Sequence, residues 1–157
     1  MKAIEYPIVK LYLDEARKAF NECLYLSCIA VCGITSEIMI REKAADMKER
    51  ENISRILKTL LKRGKISEKQ FIVFEKIREI RNRYVHLNLG TNAEASFYGG
   101  VVEENGTATF VVEYIRQADD PESELLKFHR LFAETDSKEM LRLVEETLSE
   151  LEISVVK

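Results

Sequence analysis

No stretch of the 157 residues is both long and apolar enough to cross a membrane. The first twenty, MKAIEYPIVKLYLDEARKAF, lack an apolar core followed by a small-residue cleavage site. The sequence therefore predicts a cytoplasmic protein with no membrane association. The sequons Asn52-Ile53-Ser54 and Asn105-Gly106-Thr107 then carry no meaning as glycosylation sites. Cysteine is scarce and odd in number: Cys23, Cys28 and Cys32. That excludes a disulfide framework. Histidine is scarcer still, with His86 and His129 alone, and neither is near the cysteines. Cys28 and Cys32 share a helix face but lack further thiolate or imidazole ligands close in sequence, so they are expected as small apolar fillers. No metal and no cofactor is expected.

What is present fits one globular domain, 1–157. Hydrophobic residues make up 46% and charged residues 32%, enough to build a core. The net charge of -3 argues against general attraction to nucleic acid. Its distribution is uneven. Residues 52–86 carry ten Lys/Arg against three Asp/Glu, whereas residues 87–157 carry six against fifteen. A basic stretch on an acidic protein can steer a polyanion to one place. The same pattern also fits a basic helix pair whose charges are matched by acidic helices elsewhere.

Ile8, Leu11, Tyr12, Ala16, Ala19 and Phe20 recur at helical spacing, which predicts a first helix from about Pro7 to Glu22. A second is expected from about Leu24 to Lys48. Its first half, LYLSCIAVCGITSEIMI, is apolar nearly all round, as in a central helix, and its second half is charged. Ile53, Ile56, Leu57, Leu60 and Leu61 mark a third helix, which Gly64 should stop. Ser67 and Gln70 form a capping box for a fourth, from about Glu68 to Leu89. Asn105-Gly106 between β-branched and aromatic runs predicts a β-hairpin at 97–115. Asp120-Pro121 opens a further helix, and Asp136 with Glu139 resembles a capping box for a last one, Ser137 to Ile153. The expected fold is mainly α: an up-and-down helical bundle with one inserted hairpin.

On helix four, Val73, Ile77, Ile80, Tyr84 and Leu87 make the expected core stripe, with Glu75, Glu79, Asn82 and His86 opposite. Arg81 falls at the edge of the stripe, where its guanidinium can fold toward the histidine or reach another helix. An imidazole moves protons near neutral pH. An arginine supplies a permanent fork of donors for a phosphate. Asparagine can hold a ring tautomer or a phosphate oxygen. This set suits phosphodiester chemistry without a metal. It also fits a solvated polar face with an incidental histidine.

The run Arg81-Asn82-Arg83-Tyr84-Val85-His86 resembles the Arg-x(4–6)-His signature of the HEPN superfamily, in the form where asparagine follows the arginine. AFNECLYLSCIAVCGITSEIMI is similar to the second-helix region of bacterial branches of that superfamily, and the likeness covers roughly residues 8–90. Many such domains are metal-independent endoribonucleases, often toxins or defence components, that dimerise so that two signatures face one cleft. The resemblance implies a homodimer acting on RNA. It assigns His86 as the acid–base group, Arg81 as the phosphate ligand and Asn82 as the group that orients them. Arg78 and Arg83, nearby on the same helix, are expected to bind substrate. Other members of the superfamily keep the fold only to bind a nucleotide or a partner protein. An antitoxin or a nucleotidyltransferase is a further partner that the resemblance implies. Some relatives carry a modifiable tyrosine two residues after the histidine, where this chain has Asn88. Glu37 falls where some relatives have a conspicuous acidic residue, although the basic residue expected before it is absent.

Overall fold

The computed structural model of the chain describes residues 7–47, 52–85 and 119–156. Among these residues the structure is helical: α1 (Pro7–Asn21), α2 (Tyr25–Lys43), α3 (Ile53–Lys62), α4 (Glu68–Val85) and α5 (Pro121–Val156). The hairpin expected at 97–115 lies outside the described residues, as do Leu87 and His86. No helix of the described residues is long and apolar enough to cross a membrane.

Helix α2 is central and packs against α1, α3, α4 and α5. The three-residue connection 22–24 makes α1 and α2 antiparallel neighbours. Cys28 and Cys32 are fully buried free thiols, as expected of core fillers. The thiol of Cys28 beside it, together with burial, pushes the Cys32 thiol far up, so it is inert. Both turns out of α1 and α3 close in the same way. Leu24 N–H donates to Ala19 O and Cys23 N–H to Phe20 O, while Lys65 N–H donates to Leu60 O and Gly64 N–H to Leu61 O. This Schellman pattern needs a left-handed residue. Gly64 supplies it at φ 65°, and Cys23 takes the same conformation at φ 59°.

One further local expectation holds at atomic detail, and one cap was not foreseen. Ser67 N–H donates to Gln70 Oε1 at 2.9 Å and Gln70 N–H to Ser67 Oγ at 3.1 Å, a reciprocal capping box. Asn52 caps α3 by accepting from Ser54 N–H at 2.8 Å, so this sequon residue has a structural use.

Four expectations need correction. On α1 the buried row is Val9, Leu13 and Ala16, while Ile8 and Leu11 are exposed. Ile8 and Leu11 lie about 100° and 200° around the helix from Val9, too far to share its face. On α4, Phe74, Ile77 and Ile80 are fully buried, with Val73 and Tyr84 only partly so. The core face is thus turned toward Phe74. Helix α2 ends at Lys43 rather than Lys48: the N–H groups of Ala45 and Met47 turn to the carbonyls three residues back, Glu42 and Ala44, while Ala44 and Met47 still pack on the core. Finally, there is no break before Ser137: α5 is one helix of 36 residues. Thr135 and Ser137 direct their hydroxyls to the carbonyls of Leu131 and Glu134 within the helix. Asp136 and Glu139 are used elsewhere. Tyr84 O–H donates to Asp136 at 2.6 Å, and Glu139 accepts from Lys76 and Arg142.

Candidate functional site

The expected arginine does reach another helix. Arg81 lies across α2, with its aliphatic stem over Gly33. A Cβ added at Gly33 would stand 2.3 Å from Arg81 Cδ and 2.8 Å from Cγ. Only glycine leaves room for that crossing. At the far end, Arg81 Nη1 donates to Glu37 Oε2 at 3.3 Å and Nη2 to Asn82 Oδ1 at 3.4 Å. The other oxygen of Glu37 accepts from Arg41 at 2.9 and 3.2 Å. One carboxylate therefore faces two guanidinium groups, and the trio is left with a positive charge.

One turn back, Arg78 Nη2 donates to Glu75 Oε2 at 2.6 Å. Arg78 and Arg81 both line a recess of about 30 Å³ between α2 and α4. Its walls include Gly33, Ser36, Glu37 and the apolar side chains of Phe74 and Ile77. Among the described residues, the Nε atoms of both arginines are buried without a hydrogen-bond partner, as is Glu75 Oε1. The two side chains are nonetheless 33% and 27% exposed, so their guanidinium groups remain reachable from solvent.

The opposite side of α4 differs. Arg83 Nη1 stands 3.7 Å from Asp136, which also takes the Tyr84 phenol. Lys76 Nζ donates to Glu139 at 2.8 Å. Lys76, Arg83, Asp136 and Glu139, with Phe132 and Arg142, line a groove of about 750 Å³ between α4 and α5. The Arg142 guanidinium, and then the Lys76 ammonium, hold the Glu139 carboxyl down at about 2.

Of the residues expected from sequence, Arg81 and Asn82 come together, and Arg78 joins them at the recess. Arg83 points to the α5 side instead. His86 lies outside the described residues, one position beyond the last described residue of α4. Among the described residues, no three His, Cys, Asp or Glu side chains are grouped to hold a metal ion. Gly33 went unremarked in the sequence reading, although a glycine inside an otherwise bulky helix is a sign of close approach. The partnership of Glu37 with Arg81 links residues 44 apart, and no local pattern announces it.

The described helices and this ion cluster define a helical-bundle domain with an arginine-lined interhelical recess. The chain belongs to the family described as a domain of unknown function, DUF4145, whose model matches residues 14–97. That match includes Gly33, Glu37, Arg78 and Arg81 and leaves out α5. No curated protein and no solved structure matches the chain.

Proposed function

We propose that the chain is a metal-independent endoribonuclease of HEPN type that acts as a dimer. The observation that carries this reading is the placement of Arg81. Its stem crosses α2 over Gly33 and its guanidinium is held by Glu37 of α2 and by Asn82 beside it on α4, so its donors keep a fixed direction before any substrate arrives. Preorganised donors are what a developing phosphorane charge requires. The outer face of α2 supports pairing of two copies. Leu26 and Ile34 are 51% and 43% exposed on the helix that also carries Glu37, and exposed apolar surface of this kind favours association.

In this reading the substrate's own 2′-hydroxyl attacks phosphorus and gives its proton to His86. The bond from phosphorus to the 5′-oxygen breaks, and the leaving oxygen takes a proton from the partner's His86. Arg81 meets the charge on the non-bridging oxygens. The products are a 2′,3′-cyclic phosphate and a 5′-hydroxyl. Two histidines are needed because one imidazole cannot serve as base and acid in a single step. Arg78 takes the phosphate beside Arg81, whereas Arg83 serves the contact with α5. A toxin or defence role fits such an activity.

The test uses purified chain, RNA and excess chelator. Cleavage should persist, and His86→Ala should lower it by about 10²–10⁴-fold, the usual contribution of an acid–base group. A circular dichroism spectrum and melt like the parent's would show that the variant is folded. Loss of activity in chelator with recovery on adding a divalent ion would contradict the reading, as would equal cleavage by His86→Ala. Light scattering at micromolar concentration should give a dimer.

A second reading has its own observation. Arg81 is already engaged by a carboxylate, as expected of a structural residue in a module that binds a nucleotide or partner protein without cleaving. Absence of cleavage across a broad RNA panel would favour it.

A further inference from the structure

The positive charge of residues 52–86 is not evenly matched once the chain has folded. Of its ten Lys and Arg, six meet a carboxylate: Lys65, Lys69, Lys76, Arg78, Arg81 and Arg83. The four that meet none among the described residues are Arg55, Lys58, Lys62 and Arg63. All four lie on α3 or at its C-cap.

Helix α3 sets three of them in one row. At about 100° per residue, Arg55, Lys58 and Lys62 fall within about 60° of one another. They are exposed, opposite the buried Ile56, Leu57 and Leu60. The helix holds no Asp or Glu, so none of the three has an acidic neighbour one turn away on it. Other helices supply such neighbours: Arg17 has Asp14, Arg41 has Glu37, and Arg142 has Glu139 and Glu146. Like charges three or four residues apart oppose helix formation. Arg55 also stands in the first turn of α3, where the helix dipole disfavours a cation. Folding alone gives no reason for this row.

Its chemistry narrows the partner. The centre of a protein interface is apolar or aromatic and poor in lysine, whereas the apolar row of α3 is turned into the core. The same burial leaves no apolar face to lay into a membrane. Cations at one-turn intervals fit a chain of phosphates, which is held by charge and without regard to sequence. Position agrees with this. Ile53, the first residue of α3, lines the recess together with Arg81. From Arg55 to Lys62 the row then runs about 10 Å along the helix, at about 1.5 Å per residue.

We infer that the outer face of α3 is a track for the backbone of single-stranded RNA, in which Arg55, Lys58 and Lys62 hold phosphates to one side of the one at Arg81. This deepens the function proposed above and rests on that reading for the identity of the polymer. The row binds and takes no part in proton transfer. It reads no base, so discrimination among RNA sequences has to come from elsewhere.

The experiment is fluorescence anisotropy of a labelled 2′-O-methyl RNA strand of about 12 nucleotides, within the length that single-strand grooves hold. Full-length chain is titrated in at several salt concentrations. With its 2′-oxygens blocked, the strand is not cut by the proposed chemistry, so binding alone is read. Arg55→Gln, Lys58→Gln and Lys62→Gln are combined in one variant. It should melt no lower than the parent, because the three side chains are exposed and repel one another. Each phosphate contact adds about 0.7 to the slope of log affinity against log salt for a single strand. The triple variant should therefore lose about 2 from that slope and bind about 100-fold more weakly at about 0.1 M salt. A control with the same loss of charge combines Lys10→Gln, Lys18→Gln and Lys138→Gln, on α1 and α5, which do not touch α3. It should bind within about threefold of the parent, since exposed charges beyond about 10 Å are screened at that salt.

An unchanged slope in the triple variant, or an equal loss in the control, would overturn the track. So would oligoglutamate of equal charge binding as tightly as the strand through the same three residues, which would make the face a dock for an acidic protein. Cleavage is not part of this titration, so the two proposals fail separately. Binding through the row without cleavage of ordinary RNA would sink the nuclease and keep the track. Cleavage of ordinary RNA with an unchanged KM in the triple variant would do the reverse.

Discussion

The two sides of α4 carry similar charges to different ends. Toward α5, Lys76 and Arg83 meet Glu139 and Asp136, and the phenol of Tyr84 also donates to Asp136. Those cations fasten one helix to another across a wide groove. Toward α2, Arg78 and Arg81 line a small recess and are held by Glu75 and Glu37, and each keeps a buried Nε with no hydrogen-bond partner among the described residues. Balanced pairs are what a structural contact needs. The basic excess of residues 52–86 is thus in part matched by the acidic residues of α5, through Lys69 with Glu150, Lys76 with Glu139 and Arg83 with Asp136, one of the two uses that the sequence had left open.

The sharpest way to break the comparison is at Gly33. Gly33→Ala places a methyl group where the Arg81 stem now lies. Arg81 should swing away, because its stem is the more movable partner. Stability should fall by about 1 kcal/mol, the low end for overpacking. RNA cleavage should fall by about 10²-fold, since small displacements of a reacting group are that costly. Chemical denaturation and cleavage rates measured on the same sample separate the two effects. Equal cleavage by the variant would show that the crossing over Gly33 does not matter.

On the α5 side the effects should reverse. Tyr84→Phe removes a hydrogen bond to a carboxylate and should lower stability by about 1.5 kcal/mol. RNA cleavage by the folded protein should not change. Weakened cleavage at full stability would mean that the two sides of α4 are coupled.

A smaller effect is expected from pH. The folded Glu139 carboxyl sits at about 2, below its usual 4.5. A depressed carboxyl adds stability that is fully present above its unfolded value and is lost as pH falls toward the folded one. The ties of Glu139 to Arg142 and to Lys76 should therefore weaken between about pH 4.5 and 2. The gain is under about 1 kcal/mol, because these pairs are largely solvated. Glu139→Gln should flatten that part of a melting-temperature profile. An unchanged slope would remove Glu139 from the account.

Least affected should be Arg83→Gln. Its RNA cleavage should stay within about twofold of the parent, against a larger loss for Arg78→Lys, which keeps the charge but not the planar fork. Cleavage rates of the two variants check the contrast. A larger loss at Arg83 would place the phosphate on the α5 side.

Much of the fold was legible because it is local. Gly64, the Ser67–Gln70 box and the apolar period of α3 each act within a few residues, and each matches the described structure. The false break before Ser137 came from the same local logic. Asp136, Ser137 and Glu139 look like a helix start, but Asp136 and Glu139 are drawn to side chains of α4. Which row of α1 or α4 becomes the core also depends on partner helices, so Ile8 was misplaced and Phe74 was left out of the stripe. Arg81 was legible as a chemical group at the edge of a stripe. Its brace was not, because Gly33 and Glu37 act on it only once α2 and α4 have packed.

The most direct test of the central claim uses a DNA oligonucleotide with one ribonucleotide at a known position. Only that position has the 2′-hydroxyl that the proposed chemistry needs. The account predicts a single cut at the ribonucleotide, in excess chelator, leaving a 2′,3′-cyclic phosphate or its hydrolysis product on one fragment and a 5′-hydroxyl on the other. Cuts at deoxyribonucleotides, or a product ending in a 5′-phosphate, would contradict it.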